Sequence, residues 1–134
     1  MAVLLAVVFY VAVAPTLSWV QFHDPIENLN VATALEMRRG GPWMVPDLQG
    51  IARLAKPPLT AWATAVSIRP ATVAALDVAD PAAREAAYAR FSYEARRPAL
   101  LAAALVLIAA YWLGHLCGGE RMGLYTACIC ATEW

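Results

Sequence analysis

The sequence predicts an all-α, multi-pass transmembrane protein with amphipathic surface helices in a long loop between its first two spans. Three observations lead there. The 134 residues are 61% hydrophobic with a mean hydropathy of +0.55, against roughly 45–50% apolar content in soluble domains. Met1 to Phe22 and Pro98 to Cys117 carry no Asp, Glu, Lys or Arg, and each reaches the roughly 20 residues that cross a bilayer. The charges are instead gathered in residues 23–97, which hold nine of the ten basic residues. A formal net charge of zero, with no Lys/Arg-rich block, gives no electrostatic reason to expect nucleic acid as a partner. Membrane lipids are the expected partners, and nothing in the sequence indicates an oligomeric state.

Residues 1–22 are expected to form the first transmembrane helix. Pro15 lies within it, where it removes an N–H and kinks the helix, and Trp19 is a candidate interface anchor. A cleaved signal peptide is disfavoured because no basic region precedes the apolar run and Pro15 follows the small-x-small site Ala12-Val13-Ala14. Residues 23–97 are far longer than a connection between packed helices requires, and long ordered loops are usually functional. Asp24-Pro25-Ile26-Glu27 reads as a helix start, with Asp24 at the N-cap, Pro25 at the first position and Glu27 at N3. Leu29, Ala32, Leu35 and Met37 supply an apolar face, Arg38 and Arg39 suit the negative end of the dipole, and Gly40-Gly41 ends the helix.

Pro42, Pro46, Pro57 and Pro58 divide the next segment into turns, with Trp43 set to enter the interface. Leu59 to Ile68 is too short to span and reads as interfacial or re-entrant. Asp80-Pro81 opens an alanine-rich helix that presents Tyr88 and Phe91, with Arg96 and Arg97 marking the water boundary. Residues 98–117 are the expected second span, with Trp112 as an anchor. Residues 122–134 are expected to begin a third span cut short, making the chain an N-terminal fragment of a longer multi-pass protein. Cys117, Cys128 and Cys130 lack zinc-ligand spacing and read as small buried hydrophobes, and His23 and His115 stand alone. No metal or cofactor is expected.

The charged loop has the groups for one reaction at a membrane surface. Transfer of a sugar from a polyprenyl phosphate needs a carboxylate to take the acceptor's proton and a cation to hold the departing phosphate. Glu27, with Asp24 one helical turn away on nearly the same face, supplies the first. Lys56 and Arg53 supply the second, with Pro57-Pro58 stiffening the chain beside the lysine. Each residue also has a plainer role: Asp24 and Glu27 form a capping box, and Lys56 is a snorkelling lysine.

Taken in order, Glu27, Asn30, Glu36-Met37, Gly41-Pro42-Trp43-Met44-Val45-Pro46, Leu48, Gly50, Lys56-Pro57-Pro58-Leu59 and Trp62 resemble the first large loop of GT-C glycosyltransferases that use polyprenyl-phosphate donors. The similarity is to the lipid A aminoarabinose transferases and the dolichyl-phosphate-mannose protein mannosyltransferases. Arg97-Pro98-Ala99-Leu100-Leu101, Tyr111-Trp112-Leu113-Gly114 and Gly119-Glu120-Arg121-Met122-Gly123-Leu124 extend the resemblance through the second span. It implies a multi-pass enzyme of the bacterial inner (plasma) membrane whose residues 23–97 are extracytoplasmic. It also implies transfer, with inversion, from a polyprenyl-phosphate sugar to a lipid, glycan or protein acceptor. Lys56 would meet the phosphate and the acidic pair would act as base. The chain departs from the pattern at Ile26, where the family has aspartate, so that either Glu27 or Asp24 takes over the role or this copy is impaired. Leu54 and Ala55 lack the aromatic and acidic groups of the aminoarabinose transferases, which disfavours that substrate. The rival reading is a non-catalytic membrane protein that organises lipid or a partner.

Overall fold

Proline and glycine set the element boundaries. A computed structural model of the chain describes residues 1–19, 22, 24–53 and 57–132. The element order is α1 (Ala2–Val13), a 3-10 turn (Ala14–Ser18), α2 (Pro25–Arg38), β1 (Asp47–Leu48), β2 (Ile51–Ala52), α3 (Leu59–Ser67), α4 (Pro70–Leu76) and α5 (Pro81–Thr132). The chain divides into two compact units, one of Thr16–Pro98 and one of Met1–Pro15 with Ala99–Trp134.

The multi-pass expectation is corrected. Among the described residues a single helix, α5, is long and apolar enough to cross a membrane. The first apolar segment stops being α-helical at Val13 and continues as a 3-10 turn that contains Pro15. The cause is local: Pro15 has no N–H to continue the i→i−4 ladder, and its ring crowds the preceding turn. The continuous apolar helical segment, Ala2–Ser18, is thus shorter than the roughly 20 residues that cross a bilayer. The all-α expectation also missed a hairpin, in which Asp47 pairs with Ala52 and Leu48 with Ile51.

In the Thr16–Pro98 unit, α2 begins as expected. Asp24 takes an extended conformation (φ −73°, ψ 125°), and its Oδ1 accepts from the N–H groups of Ile26 (2.6 Å) and Glu27 (3.1 Å). The helix presents the predicted face only in part: Met37 is buried and Leu35 packs against the core, but the stripe is rotated towards Val31 and Ala34. Val31, Thr33, Ala34 and Met37 are buried, whereas Leu29 is 42% exposed. The buried stripe is chosen by its partners: Val31, Ala34 and Met37 join Ala61, Ala65 and Ile68 of the α3 region, Val73 of α4, and Phe91 and Ala95 of α5 in one core. Leu59 to Ile68, expected to be interfacial or re-entrant, packs one face into this core through Ala61, Thr64, Ala65 and Ile68 and leaves Leu59 and Val66 exposed on the other.

Polar contacts fix the register of this unit. Asn30 Nδ2 on α2 donates to Thr64 Oγ1 on α3 at 3.2 Å. Trp62 Nε1 donates to the Trp43 carbonyl at 2.7 Å, so this part of the Pro-rich turn is tied to α3. Glu94, itself buried, accepts from the Arg69 backbone N–H at 2.9 Å and faces Arg69 Nε at 3.5 Å, joining α5 to the start of α4. A second expected cap is present, with Asp80 accepting from Ala82 and Ala83.

The other unit turns on glycine. Gly118 and Gly119 leave helical geometry, Gly119 with φ +76°, a conformation that a side chain disfavours. A Cβ on Gly114 would overlap Thr126 Oγ1 and lie 2.8 Å from the Met122 carbonyl oxygen, and one on Gly123 would lie 2.8 Å from the Tyr111 carbonyl oxygen. Residues eight to twelve apart on a straight helix are about 12–18 Å apart along its axis, so α5 folds back on itself into two antiparallel arms. Tyr111 and Ala127 of those arms bury against Ala2 of α1.

Met37→Ala, which empties a fully buried site in the α2 stripe, is expected to destabilise the fold by about 2–4 kcal/mol. Leu29→Ala on the exposed side should change stability by about 0.5 kcal/mol or less. Equilibrium denaturation of both variants checks the buried face, and equal losses would contradict it.

Candidate functional site

The first turn of α2 and the segment around the proline pair border an open cavity of about 450 Å³, lined by Asp24, Ile26, Glu27, Asn30 and Thr33 on one side. Pro46, Arg53, Pro57, Pro58, Thr60 and Ala61 complete the lining. The cap puts Asp24 at the mouth of the helix, and the 3.6-residue period turns Glu27, Asn30 and Thr33 to one side.

Three of the four residues singled out in the sequence therefore come together: Asp24, Glu27 and Arg53. The fourth, Lys56, lies outside the described residues, as does His23; Arg53 and Pro57, which flank residues 54–56, both line the cavity. Arg53 is anchored through Nη1, which donates to the Leu29 carbonyl (2.8 Å) and to Thr33 Oγ1 (3.1 Å). Its backbone N–H donates to the Pro46 carbonyl at 2.9 Å, prolonging the hairpin ladder by one step.

Glu27 has a partner that its neighbourhood in the sequence did not reveal. Arg96 Nε donates to Oε1 at 2.7 Å and Nη2 to Oε2 at 3.2 Å, a two-pronged ion pair that fixes the plane of the carboxylate. The Arg96 side chain is 12% exposed and that of Glu27 33%. Arg96 Nη1 also donates to the Leu17 carbonyl at 2.9 Å, and its guanidinium lies 4.3 Å from the centroid of the Phe22 ring. Phe22 in turn meets Tyr88 and Phe91 edge-on. Arg96, expected at the water boundary, is instead largely buried; the pairing spans 69 positions, beyond any local periodicity.

Chemically, the cavity sets two carboxylate side chains and one guanidinium around a space large enough for a small polar group, with proline rings forming part of its wall. Carboxylates can accept a proton from a hydroxyl, and a guanidinium can hold a phosphate. Among the described residues no group of three His, Cys, Asp or Glu side chains is gathered as a metal site.

Removing Arg96 leaves a half-buried carboxylate without its counter-ion. Arg96→Gln should lower stability by about 1.5–3 kcal/mol, in the range for hydrogen bonds to charged groups. A double-mutant cycle with Glu27→Gln should give a coupling of about 1 kcal/mol or more, and additive losses would mean that the pair contributes nothing. Compared with protein-family models, with curated proteins and with solved structures, the chain has no significant match, so the resemblance to polyprenyl-phosphate glycosyltransferases rests on its own motifs.

Proposed function

We propose that this chain forms part of a membrane-associated glycosyltransferase that moves a sugar from a polyprenyl-phosphate carrier to a lipid, glycan or protein acceptor. The observation that carries the reading is the cavity itself, where Asp24 and Glu27 face the same space as Arg53 and the Pro57-Pro58 pair. In the reaction, the acceptor hydroxyl oxygen bonds to the anomeric carbon as the bond from that carbon to the phosphate oxygen breaks. The hydroxyl proton passes to the carboxylate, and the electron pair leaves with the polyprenyl phosphate. Arg53, with Lys56 from the adjoining segment, offsets the charge on the leaving phosphate. Arg96 keeps the Glu27 carboxylate oriented.

The setting is consistent with a lipid-linked donor. Ile26, in the cavity lining, is 60% exposed, and Met44, Val45, Ile51 and Leu59 of the same unit are also exposed. Such side chains suit an acyl or prenyl surface better than water. The α5 helix offers an apolar stretch long enough to cross the bilayer. On the family resemblance, the membrane is a bacterial plasma membrane and the cavity faces outward.

A second reading has its own observation. Asp24 is engaged as a helix cap and Glu27 as an ion-pair partner, which are sufficient reasons for both carboxylates in a non-catalytic membrane protein. Transfer from a labelled polyprenyl-phosphate sugar, measured in membranes with the chain in its full context, separates the two. Glu27→Gln is expected to reduce turnover by roughly 10²-fold or more, the range for loss of a general base. Arg53→Ala and Lys56→Ala should chiefly raise the donor KM, by about tenfold. Wild-type turnover in folded Glu27→Gln and Asp24→Asn proteins would favour the non-catalytic reading.

A further inference from the structure

The hairpin that carries Arg53 to the cavity cannot hold itself. Each strand has two residues, and even longer isolated hairpins are marginal in water. Its two-residue turn, Gln49-Gly50, needs positive φ at both positions, the pattern that matches strand twist. Gly50 adopts φ +78° at no steric penalty, whereas Gln49 sits at φ +54°, the one non-glycine residue with positive φ among those described. A left-handed glutamine is disfavoured, so something outside the hairpin must compensate.

The compensating group is on α2. Both carboxylate oxygens of Glu36 lie within hydrogen-bond distance of the Gln49 N–H, at 3.1 and 3.0 Å. The Glu36 carbonyl also accepts from the Gly41 N–H at 3.0 Å, where the returning chain passes so closely that a Cβ on Gly41 would sit 3.0 Å from that oxygen. At its other end the hairpin is tied to the same helix by Arg53, through the Leu29 carbonyl and Thr33. Two tethers seven residues apart on α2, at 29 and 36, span about 10 Å.

We propose that Glu36 is a positioning residue: its carboxylate clamps the Gln49 N–H, fixes the hairpin along α2, and thereby sets the Arg53 guanidinium at the cavity for the donor phosphate. The link to the phosphate rests on the glycosyltransferase reading; the clamp does not. Glu36 itself is absent from the cavity lining, so its influence on a bound phosphate passes through Arg53.

Amide hydrogen exchange at Gln49 and Arg53, with donor kinetics on the same membrane-embedded protein, tests both halves. Glu36→Ala should speed exchange at Gln49 by about tenfold or more, as expected for loss of a charge-assisted bond. It should also raise the donor KM severalfold while leaving kcat within about twofold, a split that marks lost ground-state binding. Glu36→Gln retains one acceptor oxygen and should fall between wild type and Glu36→Ala, which keeps the test usable if the alanine variant does not fold. Gln49→Gly relieves the left-handed glutamine, so adding it to Glu36→Ala should restore part of the Arg53 protection and of the donor KM. Unchanged Gln49 exchange in Glu36→Ala overturns the clamp. Faster Gln49 exchange with an unaltered donor KM overturns its role in setting Arg53. If the wild-type protein transfers no sugar, the glycosyltransferase reading fails, and the amides alone decide the clamp by the same criterion.

Discussion

The seam between α2 and α3 is the constraint on which the Thr16–Pro98 unit depends. Ala34 and Ala65 have no exposed surface, and small side chains allow two helices to approach closely. Both helices also contribute residues to the cavity, Glu27, Asn30 and Thr33 from α2 and Thr60 and Ala61 from α3. Any larger residue in the seam would move those walls apart, because a close-packed interior transmits volume changes to its surroundings. The Asn30–Thr64 hydrogen bond fixes the sliding register that apolar packing alone leaves loose. Site geometry and core packing are therefore properties of one interface.

What could be read from the sequence was whatever rests on neighbouring residues. Asp24-Pro25 and Asp80-Pro81 start helices because an acidic side chain one residue before a proline satisfies nearby N–H groups, a matter of two or three positions. Asp24, Glu27 and Arg53 line one cavity; of the three only Glu27 belongs to the ordered motifs, and the other two stand out in the sequence by their charge beside Glu27 and Lys56. The rest depended on distant partners. The Glu27–Arg96 pair joins positions whose separation carries no periodic signal, and the buried face of α2 was decided by residues of α3, α4 and α5. Leu29 and Val31 are both apolar, so the helical pattern alone fitted two overlapping stripes. The first apolar segment falls short for another reason: its α-helix ends at Val13, just before Pro15, whatever the length of the apolar run.

Arg96 shows how a charge can be retained inside a largely apolar cluster. Its guanidinium is engaged by a carboxylate and a main-chain carbonyl along its N–H edge and by an aromatic ring over one face. The arrangement suits arginine and not lysine, whose compact ammonium cannot make the same forked contact. It also ties Leu17 before α2 to Glu27 within α2 and to α5. A single cation thereby links three segments that the hydrophobic core brings near but does not align.

The fold-back at Gly118-Gly119 has an electrical consequence. Run straight, the 52 residues of α5 would extend about 78 Å and sum their peptide dipoles along one axis. Reversed at the glycines, the two arms lie with opposed dipoles, so their fields partly cancel where a low-dielectric environment would otherwise amplify them. The turn brings the negative end of the first arm next to the positive end of the second, and Glu120 falls in the opening turn of that second arm, where a negative charge is favoured. The shorter second arm thus offsets only the part of α5 that it lies beside, and places opposite partial charges side by side at the turn.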